Sequence, residues 1–202
     1  MTTESQRRAI QNLTLSVDLV AKIPFRVFAS DYSDVHVMDF ERLVRQNTAD
    51  LLRALIELEG ASVAAVARFE EIGKETQDWR DDVFFVSGST NTDEYWAFIR
   101  RNAVEFGQKR ATPDMRAPWL IFAERIGSCS DVGNWCIYGE KFAEIALLGF
   151  RRGAGISLPN NLLTDFGIER LSEALERDTF FGEPGNEYSK EQRAILRSAY
   201  ML

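Results

Sequence analysis

The stretch Phe142-Ala143-Glu144-Ile145-Ala146-Leu147-Leu148-Gly149-Phe150 decides how this chain folds. Read as a strand, it places Ala143, Ile145 and Leu147 on one face and Phe142, Ala146, Leu148 and Phe150 on the other, with Glu144 the one polar interruption. A strand wetted on one side alternates apolar with polar residues, so one that is apolar on both sides is covered on both. The cover comes from helices of the same chain or from a partner.

Working outward, Trp135 to Glu140 is rich in aromatic and β-branched residues, and Gly139-Glu140-Lys141 fits a tight turn into the 142–150 strand. Trp119 to Arg125 has the same character, with Gly127 and Gly133 bracketing the connection that follows. Val83-Phe84-Phe85-Val86-Ser87 reads as a short buried strand. The expected fold is therefore α+β, an antiparallel sheet with strands near 83–87, 119–125, 135–140 and 142–150, packed against several helices.

The helices show as periodic apolar stripes. Ile10, Leu13, Val17 and Val20 recur at three and four, predicting a helix over about 6–21 ended by Pro24. A short extended piece over 24–34 comes next. Residues 38–58 give the clearest stripe (Phe40, Leu43, Val44, Leu51, Leu52, Leu55, Leu58), with Gly60 as its C-terminal cap. Over 61–73, Val63, Val66, Phe69 and Ile72 lie three apart in an Ala-rich segment; this favours a second helix, with a strand over Ser62–Phe69 as the alternative. Further helices are expected after Asn91, after Pro159 (Leu162, Phe166, Leu171, Leu175), and from Ser189, where Gln192 supplies a capping-box spacing. No repeat or long linker divides the chain. It reads as a single α+β domain over 1–202, with a helical part to about residue 75 and a sheet-containing part from about residue 82.

Composition narrows the functional classes. The hydrophobic fraction is 45% and the charged fraction 27%, ordinary values for a globular protein large enough to bury a core without staples. No run approaches the roughly 18 apolar residues of a membrane span. Met1 to Ile10 is polar with no secretory apolar region behind it, and two cysteines are too few for a disulfide framework. These features predict a cytoplasmic protein with buried structural thiols. Net charge is −7, and it is uneven: residues 31–94 hold 15 acidic and 6 basic side chains, whereas 101–202 hold 14 and 13. Without a Lys/Arg stripe, binding to nucleic-acid phosphates is disfavoured.

Four constellations invite a chemical reading. Asp31, Asp34, His36 and Asp39 crowd oxygen and imidazole ligands together, but neither a His-x-x-x-His nor a Glu-x-x-His pair accompanies them, and a polar turn explains them as well. Ser87, Ser89 and Thr90 form a strand-to-helix loop whose free amides and helix dipole suit a phosphate or carboxylate, with Arg100, Arg101 or Arg125 as helpers. The loop lacks the Gly-x-x-x-x-Gly-Lys pattern of a nucleotide site, and simple helix capping accounts for its residues. Cys129 and Cys136 have no zinc spacing; placed near the two ends of a hairpin loop, they are candidates to approach each other. Asp165-Phe166-Gly167 spells a kinase tripeptide with none of its companions, leaving Phe166 as a core residue.

Two functions from different classes remain. One is a non-catalytic interaction protein of the immunity, inhibitor or adaptor type, with an acidic face that includes Glu70, Glu71, Asp78, Asp81 and Asp82 and an apolar or aromatic patch on the sheet. Its partner is another protein, basic in character, and the same surface leaves a homo-oligomer open. The other is a small enzyme or small-molecule binder that holds an anion at the 87–93 loop. The solitary histidine and the scarce thiols favour the first, with no cofactor expected and no nucleic-acid or membrane partner.

Overall fold

The computed structural model describes residues 2–18, 21–45, 47–69, 83–95, 125–177 and 190–201. It is an α+β fold built on one antiparallel sheet of seven strands in the order β3-β2-β4-β5-β6-β1-β7. The strands are β1 (Tyr32–Asp39), β2 (Val63–Phe69), β3 (Val83–Ser87), β4 (Arg125–Ser130), β5 (Trp135–Glu140), β6 (Ile145–Arg151) and β7 (Glu169–Arg170). The helices are α1 (Glu4–Ser16), α2 (Thr48–Glu59), α3 (Asn160–Phe166), α4 (Leu171–Ala174) and α5 (Lys190–Tyr200); residues 92–95 are also helical.

β6 is covered on both faces, as its sequence demands. Ala146, Leu148 and Phe150 join Trp135, Ile137, Met38 and Val66 beneath α2 and α3. Ile145 and Leu147 join Val35, Val37, Tyr138 and the cysteines beneath α1, α4 and α5. Every second residue of a strand points the same way, so one sheet separates two apolar layers. The cover comes close enough to need glycine twice. A Cβ on Gly139 would lie 2.7 Å from Leu43 Cδ1 and 2.9 Å from the Phe40 ring. One on Gly149 would lie 2.8 Å from the Phe28 ring on the opposite face.

Several expected elements are redrawn. Residues 63–69 are strand β2 rather than helix, wedged between β3 and β4. Its alanines serve both faces: Ala65 packs with Ala9 of α1, and Ala64 lies in the layer under α2. The 38–58 helix breaks in two, because Met38 and Asp39 finish β1 and Phe40–Val44 is a 3₁₀ turn. Asp39 caps that turn by accepting from Glu41 N at 2.8 Å, and Thr48 Oγ1 donates back to Leu43 and Arg45 carbonyls at 2.8 Å each. Only from Thr48 does a regular helix run, ending at Gly60 in the left-handed conformation, φ 72°. Thus two strands, β1 and β2, come from the part expected to be helical.

α1 stops at Ser16, well before Pro24, because extended pairing captures the next residues: Asp18 N donates to Val27 O (2.8 Å) and Ala29 N to Ser16 O (2.9 Å). β4 runs over Arg125–Ser130, where the connection bracketed by Gly127 and Gly133 was expected; of the strand predicted at 119–125 only Arg125 is among the described residues. Lys141–Ala143 is a 3₁₀ turn, so β6 starts at Ile145, and Phe142 is 79% exposed rather than buried on a strand face. Gly167, at φ 59°, divides the helix expected after Pro159 into α3 and α4 around the short β7. β5 and the docking of α5 through Leu196 and Tyr200 are as read from the sequence; β3 has the expected bounds but is an edge strand in which only Val86 is buried.

Gly149→Ala should destabilise the fold by about 1–3 kcal/mol, since the added methyl meets the Phe28 ring in a packed layer. Urea denaturation checks this; an unchanged midpoint would mean the aromatic cover is not seated on β6.

Candidate functional site

Each predicted constellation now has a geometry. Asp34, His36 and Asp39 lie along β1 with Asp31 just before it, and the four go to different partners. Asp31 Oδ2 lies 2.8 Å from Arg151 Nε, and Asp39 is consumed in capping the 3₁₀ turn. Asp34 and His36 do meet: as i and i+2 they share a face, with His36 Nε2 3.4 Å from Asp34 Oδ1. Among the described residues no three His, Cys, Asp or Glu side chains group to hold a metal ion.

His36 sits in the ladder between Leu148 of β6 and Arg170 of β7, edge-on to the Phe150 ring at 5.8 Å. It is 7% exposed, and burial lowers its pKa below the usual imidazole value, with Arg170 adding to that and the Asp34 and Glu173 carboxylates opposing it. Its Nδ1 is buried without a hydrogen-bond partner.

The 87–93 loop folds onto itself. Ser87 N donates to Thr90 Oγ1 (2.9 Å), and Ser87 Oγ is 3.0 Å from Ser89 Oγ and 3.1 Å from Thr90 Oγ1. Asn91 caps the helix: its Oδ1 accepts from Glu94 N at 2.7 Å while Glu94 Oε2 accepts from Asn91 N at 3.0 Å, a reciprocal capping box. Thr92 Oγ1 donates to Asp50 Oδ1 (3.2 Å), which brings a carboxylate to the position an anion would want. Arg125 does not reach this loop. Ser87 pairs with Val63 at one end of β2 and Arg125 with Phe69 at the other, about 20 Å away at the usual strand rise. Arg125 instead opposes Glu140 across the β4–β5 ladder. Arg100 and Arg101 lie outside the described residues, as do Glu70, Glu71, Asp78, Asp81 and Asp82 of the acidic face.

The turn between β4 and β5 is held from both sides of the sheet. Asn12 of α1 donates to Ser130 O (3.0 Å), and Tyr32, itself 2.8 Å from Ser16 Oγ, donates its hydroxyl to Gly133 O (2.8 Å). From α2, Glu59 Oε1 accepts Asn134 N at 2.6 Å, and burial raises the Glu59 pKa. Asp131 Oδ1 accepts both Ser62 N (2.9 Å) and Val63 N (3.2 Å). These carboxylates are used as structural clasps.

An open groove of about 550 Å³ runs beside the end of α1, lined by Thr14, Leu15, Asp18, Arg26 and Phe28 among others. Among the described residues lining it Arg26 is the one cation, and its guanidinium is already engaged. It donates to the carbonyls of Phe28 (3.0 Å), Ala199 (2.8 Å), Ala29 (3.2 Å) and Tyr32 (3.0 Å) and lies over the Tyr200 ring. Sequence periodicity gave no sign of this hub, because a single arginine in an irregular segment has no pattern to show.

Helices cover both faces of the central strands, while Val83, Phe84 and Phe85 of the edge strand β3 are half-buried. Two aromatic rings, Phe25 and Phe142, are strongly exposed. Ile23 N donates to Glu140 Oε2 at 2.9 Å, which ties the 23–25 segment to the end of β5. Phe25, 60% exposed, and Phe142 each lie two residues along the chain from that bond. No known protein family, curated protein or solved structure matches the chain.

Because the folded pKa of His36 lies below that of an unfolded chain, about 6.5, the unfolded state binds more protons as pH falls through that value. The contribution is complete above pH 6.5 and is lost toward the folded pKa. Wild type should therefore lose more stability between pH 7.5 and 5 than His36→Gln does. Parallel losses in urea denaturation would show that the imidazole is not buried neutral.

Proposed function

We propose that the protein is a soluble, cytoplasmic, non-catalytic interaction protein that works through contact with a basic protein. One observation carries the reading: the chain's single histidine and both of its cysteines are buried in the sheet. Imidazole and thiol are the side chains best suited to proton transfer or nucleophilic attack near neutral pH, and among the described residues neither type lines the groove beside α1. The excess of 15 acidic over 6 basic residues across 31–94 supports a positively charged partner, by steering encounter and by disfavouring acidic competitors. The exposed rings of Phe25 and Phe142 supply an apolar anchor of the kind interfaces use. Among the described residues no helix is long and apolar enough to cross a membrane.

A tagged protein expressed in its host should retain a basic protein at stoichiometric level. With that partner purified, neutralising Glu70, Glu71, Asp78, Asp81 and Asp82 together should slow association at low salt by about tenfold or more and flatten its salt dependence. Phe142→Ser should raise the dissociation rate while leaving the denaturation midpoint in place. Stabilisation by a phosphorylated metabolite, with no protein retained, would overturn the reading in favour of an anion site at the 87–93 loop.

A further inference from the structure

Cys129 of β4 and Cys136 of β5 are direct partners in the antiparallel ladder. They point to the same face, into the layer that holds Leu13 and Val17 of α1 together with Tyr32 and Tyr138. Directly opposed residues of such a ladder have Cα atoms about 4.5–5.5 Å apart. A disulfide spans Cα separations of about 4.4–6.8 Å. The main chain therefore already holds the two within bridging range. Both thiols are free and fully buried. Each makes a weak bond to the opposite strand's main chain: Cys129 Sγ donates to Trp135 O at 3.2 Å, and Cys136 Sγ donates to Ser128 O at 3.1 Å. They are the only cysteines in the chain, so no third thiol competes for either.

We propose that Cys129 and Cys136 are a redox modification site, a buried dithiol that a small disulfide such as oxidised glutathione converts into a cross-strand disulfide. One protein thiolate attacks the oxidant, forming a mixed disulfide and expelling one glutathione thiolate. The second protein thiolate attacks the protein sulfur of that mixed disulfide and expels the other. Two protein S–H bonds are lost and one S–S bond is formed. The two electrons go to the oxidant's sulfurs, and the two protons leave with the glutathione thiols. Because α1 and the segment through Phe28 and Tyr32 cover this layer, the first attack waits for that cover to lift. The second follows at once, because the partner sulfur lies directly opposite. Mixed disulfide should therefore never accumulate, and any condition that loosens this cover should speed oxidation.

The whole protein incubated with oxidised glutathione, alkylated and weighed intact should lose two hydrogen atoms, take up no alkylating agent, and yield a peptide pair joined through positions 129 and 136. The rate should rise in urea below the unfolding transition, and reduced glutathione should reverse the product. Cys129→Ala and Cys136→Ala should each stop at a single glutathione adduct. Lasting glutathione adducts on wild type would overturn the proposal, as would two alkylatable thiols after incubation in sub-transition urea. The second result is decisive even if the alanine variants fold poorly, since it is read on the unmodified sequence.

Discussion

Burial of β6 on both faces is the constraint from which the other elements take their places. Its residues send Ile145 and Leu147 one way and Ala146, Leu148 and Phe150 the other. No arrangement with water on either side can satisfy both sets. α2, the 3₁₀ turn and α3 supply one cover. α1, α4, α5 and the segment through Phe28 and Tyr32 supply the other. The glycines at 139 and 149 mark where each cover presses onto the strands, and the small side chains of β2 let helices approach near the far edge.

Several polar side chains within these layers are engaged in fastening. Arg26 gathers carbonyls from its own segment and from Ala199, so the C-terminal helix is tied to the segment after α1 by one guanidinium. Tyr32, Asn12 and Glu59 fix the β4–β5 turn from opposite sides of the sheet. Buried polar groups are costly unless bonded, and these are bonded to main-chain atoms that would otherwise stand unsatisfied at strand and helix ends. The same economy explains why carboxylates that look available in the sequence are not free for chemistry. Asp39 caps, Asp131 clasps two amides, and Asp31 faces Arg151.

What was legible in the sequence follows from periodicity. β3 and β5 were readable because short aromatic and β-branched runs between glycine-rich turns admit few alternatives. The double covering of β6 was readable because its pattern has no polar face. Residues 61–73 misled because Val63, Val66 and Phe69 fit a spacing of three. As a strand, the same residues place Val66 on one face and Val63 on the other, and sheet neighbours far along the chain decided between the two. The stripe over 38–58 merged three elements, because capping by Asp39 and back-bonding by Thr48 leave an apolar period unchanged while breaking the helix. At the candidate sites, the facing of Cys129 and Cys136 could be suspected from their places around a hairpin. The separation of Arg125 from the 87–93 loop could not, since it depends on strand order, which local spacing does not encode.

Amide hydrogen exchange tests the central claim most directly. If β6 is the doubly covered centre, the bonded amides of β5 and β6, Leu147 and Leu148 among them, exchange only through global unfolding, with a free energy equal to that of denaturation. The amides of the two-residue β7 and the first turn of α1 exchange earlier. Exchange of the β6 amides at the rate of β7 would contradict the account, because it would mean that one of the two covers can leave without the fold.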